Sequence, residues 1–192
     1  YECIFRPYCW RDIPSPSIYN IRRLGRAKKD ELLGRKIYSV FDIPGDFPLS
    51  PKERAQVEMY ASGKPEIEED AIRKELASLI FPLYFLDFET DNPAVPRYEG
   101  MSPYQQVPFQ YSLHILREDG TLKHREYLHT GLSDPRRPLA EQLAAYLGSP
   151  SADGTVIAYY APFEKNVLTA LGRLFPDLAG PLLAAARRLW DL

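Results

Sequence analysis

The chain has 192 residues, 45% of them hydrophobic and 12% aromatic, and its 24 Lys and Arg against 26 Asp and Glu give a net charge of −2. This composition excludes a disordered chain, and the charge excludes nucleic-acid binding through bulk positive charge but not through a local basic patch. The longest apolar runs, such as residues 79–86, are too short to span a membrane, and two cysteines cannot build a disulfide scaffold. We therefore expect a cytoplasmic protein, and because the chain begins with Tyr1 we expect a piece of a longer one.

Prolines divide the front of the chain into short segments. We interpret residues 1–14 as a remnant of an upstream domain that contained cysteines. Residues 15–48 are expected to form a small helical module, in which residues 17–45 are a helix, a turn and a second helix.

Residues 49–80 are expected to be connecting helices. The first begins at Ser50-Pro51-Lys52-Glu53, which places Ser at the N-cap, Pro at the first helical position and Glu at the third. The second is expected over residues 66–79, because apolar residues recur there on one helical face.

The pattern changes at residue 81, where an α/β domain is expected to start and to continue to residue 192. Leu83–Glu89 is nearly continuous in apolar residues, which predicts a central strand that is buried on both faces. The expected strands are 83–89, 109–117, 122–128, 155–160 and 188–192, and the expected helices are 138–147, 162–174 and 181–187. The order β-β-β-α-β-α-α-β is the plan of a ribonuclease H-like mixed sheet, which would be incomplete at its C-terminus.

Two carboxylates lie at the end of the predicted central strand. Asp87 and Glu89 are two residues apart, so both side chains point to one face of the strand while Phe88 points to the other. Two carboxylates this close repel each other unless a cation holds both, and Mg²⁺ and Mn²⁺ prefer oxygen ligands. The pair therefore fits a site for Mg²⁺ or Mn²⁺ that hydrolyses phosphodiesters, and it also fits two exposed acids without a function.

Glu164 and Asp191 are candidates to complete this site. Glu164 lies in the first turn of a predicted helix and shares its apolar face with Leu168 and Leu171, which directs the carboxylate toward the core. A metal ligand and an acid attracted by the helix N-terminus fit this position equally. Asp191, in the last predicted strand, fits either an additional ligand or a terminal polar residue.

The run Phe85-Leu86-Asp87-Phe88-Glu89-Thr90 resembles the first motif of the DnaQ-like (DEDD) 3′→5′ exonucleases, an apolar strand that ends in Asp-x-Glu-Thr. Tyr159-Tyr160-Ala161-Pro162-Phe163-Glu164 is similar to their second motif, His-Asn-Ala-x-Phe-Asp, with Glu164 in place of Asp and Tyr160 in place of Asn. Their third motif has no counterpart in this chain. The resemblance implies catalysis by Asp87, Glu89 and Glu164 with Mg²⁺ or Mn²⁺ at single-stranded 3′ ends of DNA or RNA, and weak activity of this piece alone.

A longer resemblance covers most of the chain. The runs at 81–90, 103–114 and 134–136 are similar to the bacterial family called domain of unknown function 2779. That family is uncharacterised, so membership implies a DnaQ-like fold and a nuclease but no substrate. The alternative is a non-catalytic nucleic-acid-binding or interaction module whose metal site has decayed, which the replacements at Glu164 and Tyr160 favour.

The basic stretch within residues 17–45 resembles a helix-hairpin-helix motif. The matching residues are Leu24, Gly25, Leu32, Leu33, Ile37, Val40, Phe41, Asp42 and Ile43. Backbone amides of that motif hold a phosphate without reading the base sequence. The resemblance implies nucleic-acid binding by Gly25, Arg26, Lys28 and Lys29, although a helical bundle with a solvated charged face fits equally well.

The two cysteines near the start of the chain form a short Cys-(x)₅-Cys motif. Cys3 and Cys9 resemble the last two ligands of iron–sulfur nucleases that carry four cysteines. Because the sequence has no other cysteine, we expect an iron–sulfur cluster only in a longer parent protein and not in this chain.

Overall fold

The computed structural model describes residues 3–65, 67–148 and 153–192, and the chain divides into two compact units, Tyr1–Ala71 and Ile72–Leu192. The first two residues of the predicted remnant and the first residue of the predicted helix at 66–79 lie outside these ranges. Among the helices that the structure describes, none is both long and apolar enough to cross a bilayer.

Helices α1 (Arg6–Cys9), α2 (Arg26–Gly34) and α3 (Pro51–Ser62) form most of the regular structure of the first unit. Two 3₁₀ turns, Ile18–Asn20 and Val40–Asp42, flank α2 and close a small apolar core with it. The buried members of that core are Ile18, Ile21, Leu24, Leu32, Val40, Ile43 and Phe47. Contacts with these turns therefore hold α2 in place.

The predicted second helix within residues 17–45 is wrong. After α2, Lys36 takes a left-handed conformation with a φ of 59°, and the next helical turn is the three-residue Val40–Asp42. Pro44 disfavours a helical conformation at the residue before it, and Ile43 is accordingly extended. The described part of this segment therefore holds one regular helix, not the pair that a helix-hairpin-helix requires.

The predicted start of α3 is confirmed. The Ser50 hydroxyl accepts a hydrogen bond from the backbone N–H of Glu53 at 3.4 Å, and the Glu53 carboxylate accepts one from the backbone N–H of Ser50 at 2.7 Å. This reciprocal capping box satisfies two amides that the first turn of a helix leaves without partners. The helix after it, α4 (Glu69–Ala77), is shorter than predicted and leaves Ile72 and Leu76 exposed.

A five-stranded mixed sheet organises the second unit. Its strands are β1 (Leu83–Asp91), β2 (Val107–Leu116), β3 (Leu122–Leu128), β4 (Val156–Ala158) and β5 (Leu189–Asp191). They lie in the order β3-β2-β1-β4-β5, in which β1, β2 and β3 are antiparallel while β4 and β5 run parallel to β1. The predicted α/β class and element order are confirmed, with ends that differ by at most two residues from those predicted.

Helices α5 (Arg136–Leu147), α6 (Ala161–Leu174) and α7 (Ala179–Arg187) pack against one face of this sheet, which we call the covered face. β1 contributes Tyr84, Leu86 and Phe88 to that core. The apolar stripe of amphipathic α6 and the small apolar residues of α7 pack against the apolar side chains of the strands.

The prediction that β1 is buried on both faces is wrong, although β1 is central in the sheet as predicted. Phe85, Asp87 and Glu89 are exposed on the opposite face, which we call the open face. The apolar run was misleading because Phe85 extends it onto the open face, whereas Tyr84, Leu86 and Phe88 are the side chains that contribute to the core of the covered face.

Candidate metal centre

Asp87 and Glu89 project from the open face of β1, near the end of the strand. Phe88 between them is buried in the core of the covered face, as the alternation of a strand predicts. On the neighbouring strand Ser112 lies opposite Asp87 and Gln110 lies opposite Glu89. The two carboxylates therefore belong to a polar surface, and no apolar layer of the described core shields them.

The turn from β4 into α6 brings a third carboxylate to the same edge of the sheet. β1, β4 and β5 are parallel, so their carboxyl ends meet at one edge, and α6 begins three residues after β4. Tyr160 makes this turn in a left-handed conformation, with a φ of 67°, which is unfavourable for a residue other than Gly or Asn. Glu164 follows in the first turn of α6.

Glu164 is buried at this edge, with 2% of its surface exposed, and its Oε2 atom has no hydrogen-bond partner among the described residues. Burial raises the pKa of Glu164 above its usual value, and the nearby charges of Asp87 and Asp191 raise it further, against a lowering by its own backbone amide. An ionised carboxylate in this position is costly because burial removes it from bulk water and two negative charges lie nearby.

Asp191 has a structural contact that the sequence did not predict. Its Oδ1 atom accepts a hydrogen bond of 2.8 Å from the backbone N–H of Ala161, the first residue of α6. The Tyr160 side chain makes no capping hydrogen bond, so Asp191 supplies the acceptor that the helix N-terminus needs. Asp191 is thus fixed beside Glu164 from a strand that is adjacent in space but distant in sequence.

Glu164 lies close enough to Asp87 and to Asp191 for both charges to raise its pKa. Glu89 lies further along β1, and it is not among the charges that raise the pKa of Glu164. Within residues 3–65, 67–148 and 153–192, no three His, Cys, Asp or Glu side chains are arranged so that they could hold a metal ion. The sharing of one ion by Asp87, Glu89 and Glu164 therefore stays a prediction.

The donor chemistry nevertheless fits a hard divalent cation. All four acids offer carboxylate oxygens, which Mg²⁺ and Mn²⁺ prefer as ligands, and the Oε2 atom of Glu164 is an acceptor without a partner among the described residues. A cation there would compensate the repulsion of Glu164 by Asp87 and Asp191, which contributes to its raised pKa.

A family model described as Domain of unknown function (DUF2779) matches residues 84–192, which is more than half of the chain. The chain belongs to the DUF2779 family. No curated protein matches the chain, and no solved structure matches it. The match contains β1, the β4–α6 turn and β5, so all four acids of the candidate centre lie within the DUF2779 region.

The open face of the DUF2779 region carries polar residues to which sequence reasoning gave no role. The His114 and His124 rings stack with their centroids 4.2 Å apart, and the Ser112 hydroxyl lies 3.1 Å from Nε2 of His124. Glu126 lies opposite Ser112 on β3. The hairpin signal at residues 118–121 could have given this register, and the register would have placed these side chains beside Asp87.

The residues predicted to hold nucleic acid lie before the DUF2779 match. Gly25 is the N-cap of α2, and Arg26 lies 3.7 Å from the carboxylate of Asp30. Lys28 forms an ion pair of 2.5 Å with Glu53, which is buried and whose pKa this contact lowers. Lys28 therefore links α2 to α3. Phosphate binding by this segment stays a prediction, and because Arg26 and Lys28 both contact acids, fewer cations are free for it than the sequence suggested.

The predicted cysteine motif lies in the same front segment. Cys3 and Cys9 are exposed free thiols. Cys3 lies three residues before the start of the four-residue helix α1, and Cys9 is the last residue of that helix. This placement neither adds ligands for a cluster nor ties the thiols to another described element, and the expectation of a cluster in a longer parent protein stays a prediction.

Proposed function

We propose that the DUF2779 region is a ribonuclease H-like domain that hydrolyses phosphodiesters of DNA or RNA in a metal-dependent reaction, from the 3′ end. An antiparallel β1–β2–β3 meander followed by parallel β4 and β5 supports this proposal, because it is the sheet plan expected from the element order. The resemblance of the β1 and β4–α6 segments to the DnaQ-like motifs gives the polarity of the reaction.

The observation that carries the proposal is the state of Glu164. A buried carboxylate with a free oxygen beside two further carboxylates costs stability, and a fold keeps such a cost chiefly at functional sites. Asp191 takes the backbone amide of Ala161, the first of α6, and the Glu164 carboxylate interacts with its own backbone amide. The Oε2 atom of Glu164 nevertheless has no hydrogen-bond partner among the described residues, which leaves it available to a cation.

In the proposed site Asp87, Glu89 and Glu164 hold Mg²⁺ or Mn²⁺, with Asp191 as an additional candidate. A bound cation of this kind lowers the pKa of an attacking water and stabilises the charge on the departing oxygen. The chain itself contributes position: β1 fixes Asp87 and Glu89 on one face, and the Asp191 cap fixes the first turn of α6, from which Glu164 extends.

A second candidate is a non-catalytic nucleic-acid-binding or interaction module. The absence of a ready-made group of three metal ligands among the described residues favours it. Tyr159 and Tyr160 favour it too, because they are exposed at the β4–α6 turn and could stack against bases without any chemistry.

A degradation assay separates these two candidates. A 5′-labelled single strand is incubated with excess protein and Mn²⁺, so that slow hydrolysis by this chain is detected. We expect a ladder that shortens from the 3′ end, and a loss of rate on the order of 100-fold in Asp87→Asn and in Glu164→Gln.

The matched control is Glu75→Gln, which removes an exposed carboxylate from α4 and should leave the rate unchanged. A phosphorothioate at the 3′ terminus should block the ladder if hydrolysis starts there. No Mn²⁺-dependent product, or a product that persists in Asp87→Asn, would reject the nuclease and leave the binding module as the function.

A further inference from the structure

A second site lies at the other end of the sheet from the carboxylates. A cavity of about 430 Å³ opens beside the start of β1, between the last turn of α5 and the covered face of the β2–β3 hairpin. Tyr84, Ile115 and Tyr146 contribute aromatic and apolar walls, and Phe81 is exposed at its margin. Its residues all belong to the second unit.

The hairpin register explains why this cavity is cationic. Along the covered face of β3, Tyr127 lies opposite Tyr111 and packs against the core, whereas Arg125 and Lys123 come next on the same face. Both are exposed, and they line the cavity beside the last turn of α5, which ends at Leu147. The covered face therefore changes from apolar to positively charged where the helix stops.

Three cations line this cavity against one acid. Arg117, Lys123 and Arg125 all face it, and within the described residues none of them forms an ion pair with a carboxylate. Glu118 is the acid at its edge, and the charge of Asp119, the next residue, also interacts with that of Arg117. A local excess of positive charge in a chain whose net charge is −2 marks this cavity as a place for an anion.

Arg125 is held in position without being neutralised. Its Nη1 atom donates a hydrogen bond of 3.2 Å to the carbonyl oxygen of His124, and its guanidinium lies 5.7 Å from the centre of the Tyr146 ring. A guanidinium placed over an aromatic ring keeps its remaining donors free for an oxyanion, and its planar fork matches phosphate.

Protection of an edge strand is the ordinary reason for charges on β3, which is the outermost strand. That reason requires charge but neither a single sign nor a cavity. The open face of the same strand carries Glu126 and His124 instead. The concentration of positive charge on the cavity side therefore needs a further explanation.

We propose that this cavity binds a phosphate of a nucleotide, through Arg117, Lys123 and Arg125, with the base against the exposed parts of Phe81 and Tyr146. Combined cations and aromatic rings are the usual means of holding single-stranded nucleic acid without reading its sequence. The site is separate from the candidate metal centre, so its occupation does not depend on the proposed hydrolysis.

The test compares two double variants that change the net charge equally. Arg117→Gln/Lys123→Gln removes two cations of the cavity, and Lys64→Gln/Arg173→Gln removes two exposed cations elsewhere. Binding of a fluorescein-labelled oligothymidylate of about 12 nucleotides is followed by anisotropy over a series of salt concentrations, without divalent cation. We expect the cavity variant to lower the magnitude of the slope of log K against log salt by up to about 0.7, since the cavity holds one phosphate and each phosphate contact on a single strand contributes about 0.7.

Two further probes identify the ligand. Competition by thymidine monophosphate would assign the cavity to a single nucleotide, and failure of millimolar thymidine monophosphate to compete would assign it to a strand. An abasic oligomer of equal length should bind the unaltered chain at least about fivefold more weakly, because stacking of one base contributes about 1 kcal/mol or more.

Equal effects of the two double variants would overturn the proposal, because binding would then follow bulk charge. Equal binding of the abasic oligomer would overturn the role of Phe81 and Tyr146. Neither result would bear on the carboxylates, since the titration contains no divalent cation.

Discussion

Replacement of Glu164 by Gln should stabilise the chain at neutral pH in the absence of a divalent cation. The buried carboxylate of Glu164 has a free Oε2 atom and lies beside Asp87 and Asp191. Gln keeps the shape and removes the charge. A gain of about 1 kcal/mol is expected, which corresponds to a rise of roughly 2–4 °C in Tm for a chain of this size.

The gain should depend on pH in one direction. Burial and the two neighbouring acids raise the pKa of Glu164 in the folded state above its unfolded value of 4.5. The folded chain therefore holds this proton more tightly, and the wild type loses stability as the pH rises through 4.5 toward the folded pKa. The advantage of Glu164→Gln should be small below pH 4.5 and largest above the folded pKa.

Thermal denaturation of both proteins between pH 4 and pH 8, in chelator, measures this difference. Glu75→Gln serves as the control because it replaces an exposed carboxylate, and its difference from wild type should stay flat across the series. Millimolar Mn²⁺ should then reverse the order, by stabilising the wild type more than Glu164→Gln. A flat difference for Glu164→Gln, or a variant less stable than wild type at pH 8, would refute the reasoning.

Three further substitutions test individual contacts and one backbone conformation within the two units. Lys28→Met should lower the free energy of unfolding by about 1–2 kcal/mol in chemical denaturation, because it leaves buried Glu53 without its partner. This loss should vanish as the pH falls through the lowered folded pKa of Glu53. A smaller loss than that caused by Lys29→Met would contradict the prediction. Gly154→Ala should lower the free energy of unfolding by about 3 kcal/mol or more, because the new Cβ would overlap the carbonyl oxygen of Pro82. The control is Gly180→Ala in α7, whose Cβ would meet open space and which should not destabilise the chain. Tyr160→Asn should raise the free energy of unfolding by about 1 kcal/mol, because Asn adopts the left-handed conformation at lower cost. Tyr160 is 65% exposed, so little packing is lost with its ring. An unchanged Tm would show that the turn is not strained.

Local signals predicted individual elements in both units. The capping box at Ser50 and the hairpin at residues 118–121 depend on residues within a few positions of one another, and both are present. The alternation of Asp87, Phe88 and Glu89 likewise follows from strand geometry alone. Such features are set by backbone conformation, which a short sequence window already contains.

Contacts between distant residues escaped prediction. The Asp191 cap joins positions 30 residues apart, and the Lys28–Glu53 ion pair joins positions 25 apart. The burial of one face of β1 depends on where three helices pack, which the apolar run at the strand does not reveal. The second helix expected in residues 17–45 failed because Lys36 leaves helical conformation and Pro44 keeps the following turn short.

Binding of Mn²⁺ to the unaltered chain tests the central claim, a metal centre at Asp87 and Glu164, most directly. Isothermal titration at pH 7 should show Mn²⁺ binding at or below millimolar concentration, weakened about tenfold or more in Asp87→Asn and in Glu164→Gln but not in Glu75→Gln. Absence of binding at millimolar Mn²⁺, or binding that survives both Asp87→Asn and Glu164→Gln, would contradict it.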